Sequence, residues 1–186
     1  MELVRKKHSL VSALIIFFGL LIFYPSFNIH FDGDSLLTLY RFPLIVGEGR
    51  QYNYFNYFFT DYGPQDIVFA IIYRFYGLNP TPFFVASFIF RIIAAFSFFP
   101  LVLYLFKDKL LAYLAAIFFL ITSTGLETTG WVFNMPSYIA IALFNLFLLS
   151  VFKSYEKDSI KLIVISTILF GLTVVVQPIR MAFLPL

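Results

Sequence analysis

Residues 82–106 read PFFVASFIFRIIAAFSFFPLVLYLF, an apolar run interrupted by a single charge, Arg91. As a helix it covers the ~30 Å of bilayer hydrocarbon, which takes about 20 apolar residues. Four more apolar runs flank it: Ser9–Pro25, the short Leu110–Thr124, Ser137–Phe152 and Leu162–Leu184. The whole chain shares this character. Of its 186 residues 61% are hydrophobic, 22% aromatic and 12% charged, with mean hydropathy +0.90, whereas soluble domains carry about 25% charged residues. The expected fold is all-α: a polytopic transmembrane helical bundle of about five spans, residues 1–186 forming a single membrane domain.

Local signals support those boundaries. Thr81 can cap a helix whose first residue is Pro82, Asn134 precedes Pro136, and Asp158 lies just ahead of the fifth run. Lysine placement gives the orientation. Lys6 and Lys7 precede the first run, Lys107 and Lys109 separate the second from the third, and Lys153, Lys157 and Lys161 separate the fourth from the fifth. All fall on one side, which the positive-inside rule makes cytoplasmic, leaving residues 28–81 and 125–136 outside with Trp131 at the outer interface. Arg5, Lys6 and Lys7 before an apolar run also suit a signal peptide, but Pro25-Ser26-Phe27-Asn28 offers no A-x-A-like cleavage site, so an uncleaved first span is favoured. The location implied is a multi-pass position in a prokaryotic plasma membrane, N-terminus in the cytoplasm.

Several classes are excluded. Without cysteine there is no disulfide, thiolate metal site or cysteine nucleophile. The net charge of +3 is spread between the runs, so no nucleic-acid patch is expected. No Walker A, G-x-S-x-G or H-E-x-x-H pattern occurs, and neither does a Rossmann nucleotide-sugar fold.

The outer segment 28–81 is too long for a hairpin and too apolar for a disordered linker, so it is expected to be a structured first outer loop. Ser35–Val46 places Leu36, Leu39, Tyr40 and Phe42 roughly on one face, consistent with a short interfacial helix interrupted near Pro43. Asp61-Tyr62-Gly63-Pro64 is a turn with proline placed to start a second short helix, Gln65–Tyr76, which carries Asp66 and Arg74 and stops at Gly77.

An acid just after the first span, a glycine thirteen positions on (Asp34 to Gly47), a nearby aromatic (Tyr52), then Asp61-Tyr62-Gly63-Pro64 and a short helix ending at Gly77 together form a pattern. It resembles the polytopic GT-C glycosyltransferases, in particular the protein-mannosyltransferase-like branch that uses polyprenyl-phosphate-linked sugars. Arg91 resembles an arginine common in that family's second span, and Gly171-Leu172 through Arg180 and Pro185 resembles its fifth-span pattern. Such enzymes are longer, so the match is to their N-terminal portion and the chain is expected to be a fragment. The resemblance implies transfer of a sugar from a polyprenyl-phosphate donor in the bilayer to an extracytoplasmic protein, glycan or lipid acceptor.

In that scheme Asp34 is the general base for the acceptor hydroxyl, ionised at neutral pH, with Asp32 as runner-up. Asp34 also suits the N-cap of the Ser35 helix, and the two roles are compatible. Asp32 and Asp34 could hold a divalent cation, but the metal-free branch is the closer resemblance, so neither a metal nor another cofactor is expected. Asp61 would orient acceptor or sugar, or serve as a turn residue. A charge within a span costs about 2.5–3.5 kcal/mol, so Arg91 needs a partner, either the donor phosphate or an ion pair with Asp61, Asp66 or Glu127. Arg180, after Gln177-Pro178, contacts substrate or snorkels to the outer interface. The rival readings are a transporter or flippase fragment, for which no second half is visible, and a non-catalytic membrane scaffold.

Overall fold

The computed structural model describes residues 2–28, 30, 31, 33, 36, 63–122, 132 and 135–177. Among them the chain forms α1 (Glu2–Phe23), a 3-10 turn (Tyr24–Asn28), α2 (Gly63–Tyr76), α3 (Thr81–Phe106), α4 (Lys109–Ile121), α5 (Met135–Lys157) and α6 (Ile160–Val176), with no strand. The fold is therefore all-helical, as expected. Two helices, α3 and α5, are long and apolar enough to cross a membrane, while 11–27, 67–76, 109–121 and 160–176 are shorter apolar segments. Only 33% of the most apolar window of α3 and 44% of that of α5 is buried, so most of their hydrophobic surface lies outside the core. Exposed Phe17, Phe18, Phe75, Phe118 and Ile160 extend this apolar exterior over α1, α2, α4 and α6, more than isolated surface hydrophobics would explain.

Two short turns set the topology. After α3, Lys107 takes a left-handed conformation (φ 55°) and returns its N–H to the Leu103 carbonyl at 3.0 Å, closing the helix. Asp108 follows at once as the N-cap of α4, its Oδ1 accepting from the N–H groups of Leu110 (2.7 Å) and Leu111 (3.2 Å). Asp158 (φ 45°) and Ser159 join α5 to α6 in the same space. Helices joined so tightly run antiparallel. Between them, α3 and α5 lie side by side in parallel, paired at three levels: Arg91 with Tyr138, Ser97 with Asn145, and Tyr104 with Phe152. The Lys107–Lys109 turn and the lysine-bearing turn after α5 thus share one end of the bundle. There Tyr104 donates to Glu156 at 2.7 Å, and Lys107 Nζ stands 4.4 Å from the Tyr104 ring centroid.

Small and hydroxylated residues let the helices approach. Buried Asn145 donates to Ser97 Oγ at 2.9 Å, and Ser97 donates in turn to its own helix at the Ala94 carbonyl, 2.6 Å. On the α5/α6 face Ser154, Ser166 and Thr173 each turn their hydroxyl back onto a carbonyl of their own helix, leaving a narrow surface with no unpaired hydroxyl. Gln177 ties the end of α6 to Ser137 at 2.8 Å.

The structure moves several expected boundaries. The third run's helix ends at Ile121 rather than 124, because Thr122 turns extended (φ −63°, ψ 142°). The fourth runs on to Lys157, since exposed Tyr155 and Glu156 continue it past the apolar stretch. Helix α6, in the fifth run, ends at Val176, where Gln177 precedes proline and leaves the helical region (φ −142°). The cap of α3 also differs. Its flanking residue is Pro80, while the Thr81 hydroxyl donates to the Phe27 carbonyl at 3.2 Å and Asn79 Oδ1 accepts from the Thr81 N–H. Ser159 rather than Asp158 precedes α6. The short outer helix does end at Gly77 (φ 59°), whose N–H reaches the Tyr73 carbonyl at 2.8 Å. The interfacial helix expected at 35–46, Trp131 and the run beyond Gln177 lie outside the described residues.

Gly19 shows how close α1 and α4 come. A Cβ there would stand 2.8 Å from Leu120 Cδ2 and 3.2 Å from its Cγ, and Leu120 is fully buried. Gly171, exposed on α6, has open space around it. Gly19→Leu should lower stability by about 1–3 kcal/mol through overpacking, whereas Gly171→Leu should be neutral or stabilising by roughly 0.5–1 kcal/mol because it removes a helix glycine. Thermal unfolding of the two purified variants against the parent measures the contrast.

Candidate functional site

Arg91 sits on α3 about 15 Å along the axis from its start at 1.5 Å per residue, and is 1% exposed. A cation so placed needs acceptors, and the helix opposite supplies them. Helix α4 is short, and its last carbonyls have no partner further along the helix. Arg91 takes three carbonyls there: Nε donates to Leu120 O at 3.1 Å, and Nη2 donates to Phe119 O at 3.2 Å and Thr122 O at 2.7 Å. Its Nη1 donates to the Tyr138 hydroxyl at 3.1 Å. The planar fork of the guanidinium permits this spread of donors. Its charge also lies at the negative end of the α4 dipole. The Phe23 ring, 4.4 Å from the guanidinium carbon, covers one side, with Tyr138 at 5.7 Å.

One turn further along α3 and on the same face lies Ser87, fully buried, with its Oγ unpartnered among the described residues. Beyond it an aromatic cluster closes this end. Phe83 and Phe84 of α3 pack with Phe69 and Ala70 of α2, Val132 and Met135, and Phe31 joins them, its ring 5.3 Å from Phe83 and 6.3 Å from Phe84. Phe27, its carbonyl held by Thr81, lays its ring 5.7 Å from Phe88. Phe27 and Phe31 are therefore both packed on the N-terminal half of α3.

Of the candidate catalytic and substrate-binding residues named from sequence, Arg91 alone falls among those described. Asp32, Asp34, Asp61 and Arg180 lie outside the described residues, as does Glu127; Asp66 is placed by its backbone in α2. Among the described residues Arg91 meets main-chain carbonyls and a tyrosine hydroxyl, acceptors that the search for a phosphate or an acidic side chain did not consider. Tyr138 and Ser87 escaped the sequence reading. Tyr138 carried one usable signal, an amphipathic aromatic just inside the start of an apolar run, while Ser87 reads as any small residue of a packed helix. Among the described residues no group of three or more His, Asp or Glu side chains could hold a metal ion.

Fold and site together define an all-helical bundle with two membrane-length helices and a buried arginine closing a helix end. Comparison with protein-family models, with curated proteins and with solved structures found no match.

Removing the guanidinium leaves three carbonyls and a tyrosine hydroxyl short of a donor. Arg91→Met should cost on the order of 3 kcal/mol or more, and Arg91→Lys should recover only part because one ammonium cannot span the same acceptors. Tyr138→Phe should cost about 1 kcal/mol. Unfolding midpoints of the three variants test this order.

Proposed function

We propose that the chain is the N-terminal part of a membrane glycosyltransferase that moves a sugar from a polyprenyl-phosphate donor to an extracytoplasmic protein, glycan or lipid acceptor. In this reading the five apolar helices form a multi-pass bundle in a prokaryotic plasma membrane. The lysine-bearing end faces the cytoplasm and the Phe27–Phe31 end faces outward. The alternation of the lysines with the apolar runs supports that orientation.

The observation that carries the proposal is the anchoring of Phe31 on Phe83 and Phe84. Phe31 directly precedes Asp32-Gly33-Asp34 in the sequence and packs on the same helix that carries Ser87 and Arg91, which supports a catalytic role for the acids that follow it. Asp34 is the general base, deprotonating the acceptor hydroxyl as it attacks the anomeric carbon and the lipid phosphate departs with the glycosidic bonding pair. Asp32 is the neighbouring acid, and Asp61 orients the acceptor. Arg91 acts first as a positioning residue, holding the end of α4 and Tyr138 in place below the site. Ser87 offers a hydroxyl one turn above it. No metal takes part in this scheme.

In membranes containing the full-length protein and a radiolabelled polyprenyl-phosphate sugar, Asp34→Asn should lower transfer at least about 100-fold, the lower end of what a general base contributes, with membrane insertion unchanged. Full activity in that variant overturns the assignment of the base. Loss in Asp32→Asn with activity kept in Asp34→Asn reverses the two acids.

A further inference from the structure

At the lysine-bearing end, α1, α3 and α4 enclose a side-opening cleft of about 270 Å³, lined by Ser12, Phe96, Phe99, Leu103, Lys109 and Tyr113. That is near the lower end of small-molecule pockets, about 300–1,000 Å³. Phe99 and Tyr113, their centroids 4.6 Å apart, form part of its wall. The cleft is almost wholly apolar, and its cation, Lys109, is exposed at the first residue of α4. No ion pair to Lys109 is present among the described residues. The neighbouring acid, Asp108, is engaged through Oδ1 with the N–H groups of Leu110 and Leu111. Ser12 shares the cleft with Lys109, so the N-terminal part of α1 runs at this same end.

An apolar cleft with a cationic mouth, opening sideways from a bundle at its basic end, has the amphipathic layout of one lipid. We infer that it holds an acidic phospholipid of the cytoplasmic leaflet, the phosphodiester against Lys109 and the upper part of one acyl chain along Phe96, Phe99 and Leu103. A zwitterionic lipid would place its own ammonium at the same basic mouth and gain less. The cleft runs from the level of Phe96 to the turn after α3, on the side of Arg91 away from the Phe31 anchor, so it is separate from the proposed transfer site. It rests on the membrane reading of the chain but not on the glycosyltransferase reading.

Native mass spectrometry of the full chain in neutral detergent, titrated with dioleoyl phosphatidylglycerol or dioleoyl phosphatidylcholine, tests the site. Phosphatidylglycerol should bind more tightly. Lys109→Gln should weaken it about five-fold, the equivalent of roughly 1 kcal/mol per basic group. Lys161→Gln, the same charge change at the same end but on α6, should leave it unchanged. Dihexanoyl phosphatidylglycerol should bind more weakly than the dioleoyl lipid, since its chains are too short to fill the cleft. Equal binding of the two headgroups, or an equal loss in the two lysine variants, overturns the site. Equal binding of the short-chain lipid overturns the seating of the chain. Carbonate extraction tests the membrane reading by itself: release of the protein into the soluble fraction overturns that reading and the lipid site with it, whereas retention together with indiscriminate lipid binding overturns the lipid site alone.

Discussion

The guanidinium of Arg91 closes the end of α4, and the arrangement of the bundle depends on that contact. A helix that stops inside an apolar assembly exposes carbonyls where no water can reach them, at a cost of several kcal/mol if they go unpaired. A buried arginine faces the opposite difficulty, with five N–H donors and no acceptor of its own. Each defect supplies what the other lacks. Once Arg91 spans Phe119, Leu120 and Thr122 and reaches Tyr138, the positions of α3, α4 and the start of α5 are mutually determined. Phe23, stacked on the cation, adds the end of α1.

Chain geometry makes the encounter unavoidable. Helices α3 and α4 are joined only by Lys107 and Asp108, so both start from one level at the lysine-bearing end. From there Arg91 lies fifteen residues back along α3, about 22 Å, and the end of α4 lies thirteen residues on, about 20 Å. The Asp108 cap and the left-handed Lys107 hold that level. An insertion in α4 would carry its terminus past the guanidinium and leave both unsatisfied. The parallel pairing of α3 with α5 continues the same register through Ser97 with Asn145 and Tyr104 with Phe152.

Much of the helical framework was legible in the letters. Apolar runs located every long helix, Gly77 marked the end of α2, and proline placement approximated the start of α3. Boundaries failed where the deciding partner was distant or conformational. Glu156, met by Tyr104 from another helix, helps hold α5 helical past its apolar run, and the restriction that Pro178 places on Gln177 ended α6 early. At the candidate site the two relevant facts, a short third run and an arginine deep in the second, were both visible in sequence. Their connection was not, because the acceptors are backbone carbonyls. A carbonyl belongs to every residue and leaves no mark in the sequence, so a search among acidic side chains passes over it. The charged pair Asp32 and Asp34 reads easily as chemistry, whereas Phe27 and Phe31, which pack on α3 just ahead of it in the sequence, look like two of many phenylalanines.

Among the described residues, a helix ends early, a charge is buried among aromatic rings, and a serine hydroxyl lacks a partner, all within about two turns of one face of α3. The opposite end carries the tight turns, with Lys107 and Asp158 left-handed, a capped helix and a tyrosine paired with a glutamate. Sequences that specify one structure generally satisfy local preferences everywhere except where function demands otherwise. A purely structural bundle could replace Arg91 by extending α4 another turn, which would satisfy the same carbonyls through the backbone. Retaining a terminated helix and a cation to close it keeps that helix below the level at which Phe31 docks.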